Sequence, residues 1–150
     1  MPPDQIAGRL AAVFERAPGL AAALDHSEDD TPRAIIAKAR RALARMTEDE
    51  RVAVLAAHPR IGADAASLSL HSRREQGEAA DAATLSQLAE LNEAYEKKFG
   101  FRFVVFVAGR SKQEIVPVLR ARLLKTRDAE LKTGLDEFLA ISLDRLERPR

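Results

Sequence analysis

The chain contains no cysteine. That excludes disulfides, thiolate zinc sites, iron–sulfur clusters and thiol nucleophiles together. Excess charge of one sign is also missing, since 24 Lys+Arg against 23 Asp+Glu leave +1. A protein that coats nucleic acid or anionic membranes needs a larger imbalance, so no nucleic-acid partner is expected. Long apolar runs are absent as well. The longest, Phe103 to Gly109, falls far short of the roughly 20 residues of a membrane-spanning helix, and no membrane association is expected. The first ten residues lack the basic flank and apolar core of a secretory signal, and the last four are no peroxisomal address. The expectation is a soluble cytoplasmic protein.

What remains suits one globular domain over residues 1–150, because 46% of them are hydrophobic and single cores commonly span roughly 100–200 residues. Ala, Leu, Arg, Glu and Lys dominate, and apolar positions recur near every 3.6 residues, which predicts helices. Ile6, Leu10, Val13 and Phe14 share one helical face that ends at Pro18-Gly19. Thr31-Pro32 is an N-cap followed by proline at the first helical position, ahead of an apolar stripe Ile35, Ile36, Ala39, Leu43 and Met46. Thr47…Glu50, Ser72…Glu75 and Ser111…Glu114 fit the capping-box pattern. The helix begun at Thr47 must stop by Ala57, because Pro59 disfavours helical geometry at His58. A longer helix is expected from about Asp81 to Phe99, closed by Gly100, and a last one from Thr126 to Leu146.

One stretch breaks this pattern. Residues 99–109 hold four of the six phenylalanines and three valines, a strand by propensity with no second strand to pair with. It is read as an extended segment buried between helices, its backbone partly available to a polar ligand. The predicted fold is therefore all-α, a single-domain irregular helical bundle with one buried Phe/Val-rich segment.

Several residues admit both a chemical and a plain structural reading. His58, turned out of its helix by Pro59, suits a general acid or base, but a histidine also favours a helix C-terminus. Ser72 and Glu75 form a capping box whether or not a ligand sits at that helix start. Arg145 would clamp a carboxylate or amide with its planar fork, or simply answer the dipole of the last helix. His71 and Glu75 have the spacing of metal ligands, yet no third ligand follows, and no metal is expected. His26, among Asp25, Glu28 and Asp29, reads as a solvated surface residue, and Arg33, Lys38, Arg41 and Arg45 as a solvated helix face.

In sequence order, Ala57-His58-Pro59-Arg60-Ile61-Gly62, Ser72-x-x-Glu75-Gln76 and Leu91-Asn92-x-x-Tyr95-x-x-Lys98-Phe99-Gly100-Phe101-x-Phe103-Val104 form a set. Continued through Arg122-Leu123, Glu130 and Ile141-x-x-x-Arg145-Leu146, it resembles the 2-oxo-4-hydroxy-4-carboxy-5-ureidoimidazoline (OHCU) decarboxylases. The resemblance implies an all-helical, homodimeric carboxy-lyase of urate degradation that needs no cofactor and converts OHCU to (S)-allantoin and carbon dioxide. It makes His58 the acid–base residue with Glu75 assisting. Ser72, Gln76, Arg145 and the backbone of Phe103, Val104, Val105, Phe106 and Val107 would hold the substrate, with Pro59 at its edge. Arg102 departs from the pattern, standing where the family's Phe-Gly-Phe-Pro-Phe has proline. Two alternatives stay open from the residues themselves. One is a non-catalytic helical interaction module using the Arg33–Arg45 face; the other is an enzyme acting on a related ureido or imidazoline compound.

Overall fold

The computed structural model describes residues 31–62 and 81–147. The helix expected around Ile6 to Phe14, both flanking histidines His26 and His71, and the Ser72…Glu75 box lie outside them. Five helices make up the described part: α1 (Pro32–Arg45), α2 (Glu48–Ala56), α3 (Ala82–Phe99), α4 (Lys112–Arg122) and α5 (Arg127–Glu147). Among the described residues there is no strand. The fold is all-α, as the periodicity predicts.

Local chemistry sets each helix start. The Thr31 hydroxyl accepts from the Ala34 amide, with Pro32 following where its missing N–H is no loss. Thr47 and Glu50 close a reciprocal capping box on α2, and Ser111 and Glu114 do so on α4. Asp81 caps α3, and its carboxyl is held below the usual range chiefly by the bond it accepts from the Thr84 amide. Gly100 ends α3 at φ 80°, a left-handed conformation that a residue with a Cβ adopts at a cost. Pro117 lies inside α4 on its exposed side, where it forfeits one intrahelical hydrogen bond.

Helix ends are closed by a second device that periodicity does not reveal. The last carbonyls of a helix lack intrahelical donors, and here cations from other elements supply them. Arg51 of α2 donates to Leu43 O and Met46 O at the end of α1, both at 2.9 Å. Arg127 of α5 donates to Phe99 O at the end of α3 at 2.9 Å, and also pairs with Glu48. Lys98 of α3 reaches Leu123 O at the end of α4. Each such bond stitches two elements together while satisfying a carbonyl that the dipole makes attractive to a cation.

α5 packs against α1 and α2, and α3 packs against α4. Gly134 lets α2 approach closely: a Cβ there would meet both Leu55 methyl groups at 3.3 Å. Along α3, Leu88, Asn92, Tyr95 and Phe99 recur at four, three and four residues and are all buried. Tyr95 packs on Phe99, Phe101 and Phe103 with centroids 4.7, 6.0 and 5.3 Å away. Tilted and edge-on aromatic pairs of this kind contribute about 0.5–1.5 kcal/mol each beyond their burial. They anchor the Phe/Val-rich segment, which runs from α3 to α4 and is neither helix nor strand over residues 102–107.

Candidate functional site

His58 follows the last turn of α2. Its amide donates to Leu55 O at 3.4 Å, and Pro59 ends the helix there. His58 is only 5% exposed, and its imidazole meets the Phe138 ring of α5 edge to face, with centroids 5.0 Å apart. Pro59 is half-buried beside it, and the turn ends at Gly62 with φ 84°.

Three side chains hold this turn. Arg102 Nη1 donates to His58 O at 2.7 Å and to Ala56 O at 3.2 Å. Asn92 Nδ2 donates to Ile61 O at 3.1 Å, as well as to Leu88 O one turn back on α3. Arg60 forms a two-pronged ion pair with Glu96, at 2.6 and 3.0 Å, and the hydrogen bond to Glu96 raises its already high pKa. Arg102 therefore ties the His58 turn directly to the start of the Phe/Val-rich segment, at the position where the sequence departs from the proline pattern.

Arg145 is 2% exposed on α5. It lies seven residues beyond Phe138, on the same helix face and about 10 Å farther along at 1.5 Å per residue. The surface that receives the His58 ring thus continues to Arg145.

The segment's side chains belong to the core: Phe103, Val104, Val105 and Val107 are buried and Phe106 half-buried. What it can offer a ligand is backbone, and part of that is already used. Arg122 Nη1 donates to Val104 O at 2.6 Å, while Arg110 donates to Phe106 O at 2.6 Å and Val107 O at 2.9 Å. Among the described residues, the amides of Phe103 through Val107 make no backbone hydrogen bond. The segment's remaining polarity is therefore mostly donor, suited to the oxygens of a carbonyl or carboxylate.

Behind the segment lies a buried network. Tyr95 Oη donates to Glu130 Oε1 at 2.7 Å, and Arg122 Nε donates to the same oxygen at 2.7 Å. The Arg122 guanidinium also lies over the Phe103 ring, 4.5 Å from its centroid. Burial, together with the bond to Glu130, pushes the Tyr95 hydroxyl well above its ordinary value. Arg122 and Glu130 both belong to the sequence resemblance; here Arg122 seats Val104, and Glu130 holds Arg122 in place.

Ser72, Glu75 and Gln76 lie outside the described residues, so their placement relative to His58 is not part of this geometry. Among the described residues, no three His, Asp or Glu side chains cluster as metal ligands, and no helix is long and apolar enough to cross a membrane. A separate open groove of about 670 Å³ lies between α1 and α5, lined by Leu43, Leu131, Leu135 and Leu139 under Arg40 and Asp136. It contains neither His58 nor Arg145.

Comparison with known proteins gives this arrangement a context. The family model for OHCU decarboxylase matches residues 1–147. A protein from Haloferax volcanii named 2-oxo-4-hydroxy-4-carboxy-5-ureidoimidazoline decarboxylase is 28% identical over 95% of this chain and 88% of its own. A uric acid degradation bifunctional protein from Bacillus sp. (strain TB-90) is 31% identical over 67% of the chain. The chain spans only about a fifth of the length of the bifunctional Bacillus relatives that it matches. A crystal structure of OHCU decarboxylase in the presence of (S)-allantoin superimposes with a TM-score of 0.74 at 26% identity, covering 92% of this chain and 94% of that one. A family match over nearly every residue, joined to the same helical fold, places the chain in the OHCU decarboxylase family.

Proposed function

We propose that this chain is a carboxy-lyase that converts OHCU to (S)-allantoin and carbon dioxide in urate degradation, with His58 as its acid–base residue. The observation that carries the reading is the setting of His58. The imidazole is buried against α5, on the face that leads to Arg145, and its turn is hydrogen-bonded to the segment whose amides stand ready as donors.

The chemistry asks for little else. OHCU carries a carboxylate and a hydroxyl on one ring carbon, beside a ring C=N bond. When the bond to the carboxylate breaks, its electron pair forms a carbon–carbon double bond and the imine electrons move onto nitrogen, which takes a proton. Carbon dioxide leaves. The substrate is thus its own electron sink, and the reaction proceeds with no cofactor. Loss of the hydroxyl proton then regenerates a carbonyl as the neighbouring carbon is protonated, and the face of that protonation sets the product's handedness.

In this reading Arg145 grips an anionic or amide oxygen through its fork, and the amides of Phe103 to Val107 orient carbonyl groups. Ser72 and Gln76 complete the binding set, and Pro59 borders it. His58, poised by Glu75, moves the proton on one face, a contribution typically of 10²–10⁴-fold. The proposal extends to one domain over residues 1–150, assembled as a homodimer in the cytoplasm.

The test adds the purified protein to freshly generated OHCU and follows circular dichroism. Enantiomerically enriched (S)-allantoin, formed faster than the spontaneous racemic background, is the expected result. Racemic product at the uncatalysed rate would refute the activity, and turnover confined to another ureido or imidazoline compound would reassign it.

A further inference from the structure

We infer that Arg102 is a positioning residue for His58, an inference that rests on the acid–base reading above. α2 stops at Ala56, and Pro59 prevents the chain from continuing the helix. The carbonyls at this end are left without intrahelical donors, and the residue that follows them carries the imidazole. A single nitrogen of Arg102 bonds the Ala56 and His58 carbonyls, so one contact precedes His58 and the other is on His58 itself. Arg102 directly precedes Phe103, the first residue of the segment whose amides face no acceptor within the described chain. The guanidinium therefore fixes the distance between the proton-carrying ring and the backbone donors that orient the substrate. The other two anchors of the turn, Asn92 and Glu96, belong to α3 and hold Ile61 and Arg60 instead.

The competing explanation is that Arg102 merely closes a helix end, as Arg51 does for α1. Arg51 supplies the control, since its acceptors Leu43, Ala44 and Met46 are remote in sequence from His58. The experiment compares Arg102→Ala, Arg102→Lys, Arg51→Ala and His58→Asn in the OHCU assay. It reads kcat, KM and the enantiomeric purity of allantoin, with thermal melts run alongside. Misplacing a reacting group by about 1 Å can cost on the order of 10²-fold. Arg102→Ala is therefore expected to lower kcat by roughly 10- to 100-fold with KM within about threefold, and to erode enantiomeric purity. Arg102→Lys, whose point charge still reaches one carbonyl, should recover part of both, while Arg51→Ala loses stability and keeps wild-type kcat.

Wild-type kcat and purity in Arg102→Ala would overturn the inference. So would equal losses in Arg102→Ala and Arg51→Ala that track the folded fraction. If Arg102→Ala does not fold, Arg102→Lys decides alone: a reduced kcat at unchanged KM supports positioning, and wild-type values overturn it. His58→Asn separates the two layers, because full stereospecific turnover by that variant removes the acid–base reading whatever Arg102 does.

Discussion

Replacing Glu130 by alanine is the most demanding test of the packing that seats the Phe/Val-rich segment. Its side chain is 2% exposed, and its Oε1 accepts from both Tyr95 and Arg122, whose own side chain is 10% exposed. Removing one partner of a buried ion pair leaves an uncompensated charge, at a cost of about 3–5 kcal/mol. For a chain near 150 residues each kcal/mol shifts the melting temperature by roughly 2–4 °C, so Glu130→Ala should melt roughly 6–20 °C lower. The double variant Arg122→Met, Glu130→Leu removes both charges and should regain part of this loss. Recovery stays incomplete because the Tyr95 hydroxyl and the Val104 carbonyl lose their partners, each worth about 1–3 kcal/mol when buried. Thermal melts of the wild type, Arg122→Met, Glu130→Leu and the double variant form a thermodynamic cycle. A cost below about 1 kcal/mol for Glu130→Ala, or strictly additive single-variant losses, would refute the idea that this network acts as a unit.

Three further outcomes are expected. Gly134→Ala should destabilise in a thermal melt despite alanine's helix advantage of about 1 kcal/mol, because the new methyl meets the fully buried Leu55; a net gain of that size would show that α2 yields freely. Asp136 would be pushed up by burial, but hydrogen bonds from Lys132 and Arg40 outweigh it and hold the carboxyl below its ordinary value. Its contribution is thus present above the unfolded carboxyl value near 3.9 and lost as pH falls through the lowered folded one; Asp136→Asn should flatten the acid limb of stability there, and an unchanged limb counts against the pairing. Arg145→Lys should raise KM by about 10-fold or more in the OHCU assay, since a point charge cannot replace a planar fork; an unchanged KM would place Arg145 outside substrate binding.

The helix starts were legible because their chemistry is local. Thr31, Thr47, Asp81 and Ser111 each bond an amide three residues on, and Gly100 ends α3 by its own backbone freedom. The Phe/Val-rich segment was legible as an exception, since it has strand propensity and nothing to pair with. What the periodicity concealed is long-range. Arg102 meets His58 across 44 residues, Arg127 meets Phe99 across 28, and Tyr95 meets Glu130 across 35. An arginine on a helix face looks the same in sequence whether it ends in water or on a distant carbonyl. A faint signal existed for Tyr95 and Asn92, which share the Leu88–Phe99 stripe of α3 and so had to be buried and bonded. The expectation of a backbone only partly available agrees with Arg110 and Arg122 occupying three of the segment's carbonyls, a division between used acceptors and unused donors that propensity does not reveal.

The central claim is that the buried imidazole at the end of α2 moves the proton that sets the handedness of allantoin. Single-turnover stereospecific assay of His58→Asn, a variant expected to keep the fold, measures it most directly. The account predicts a rate lower by about 10²–10⁴-fold and loss of (S) preference, with the thermal melt intact. Wild-type rate and enantiomeric purity in that variant would contradict it.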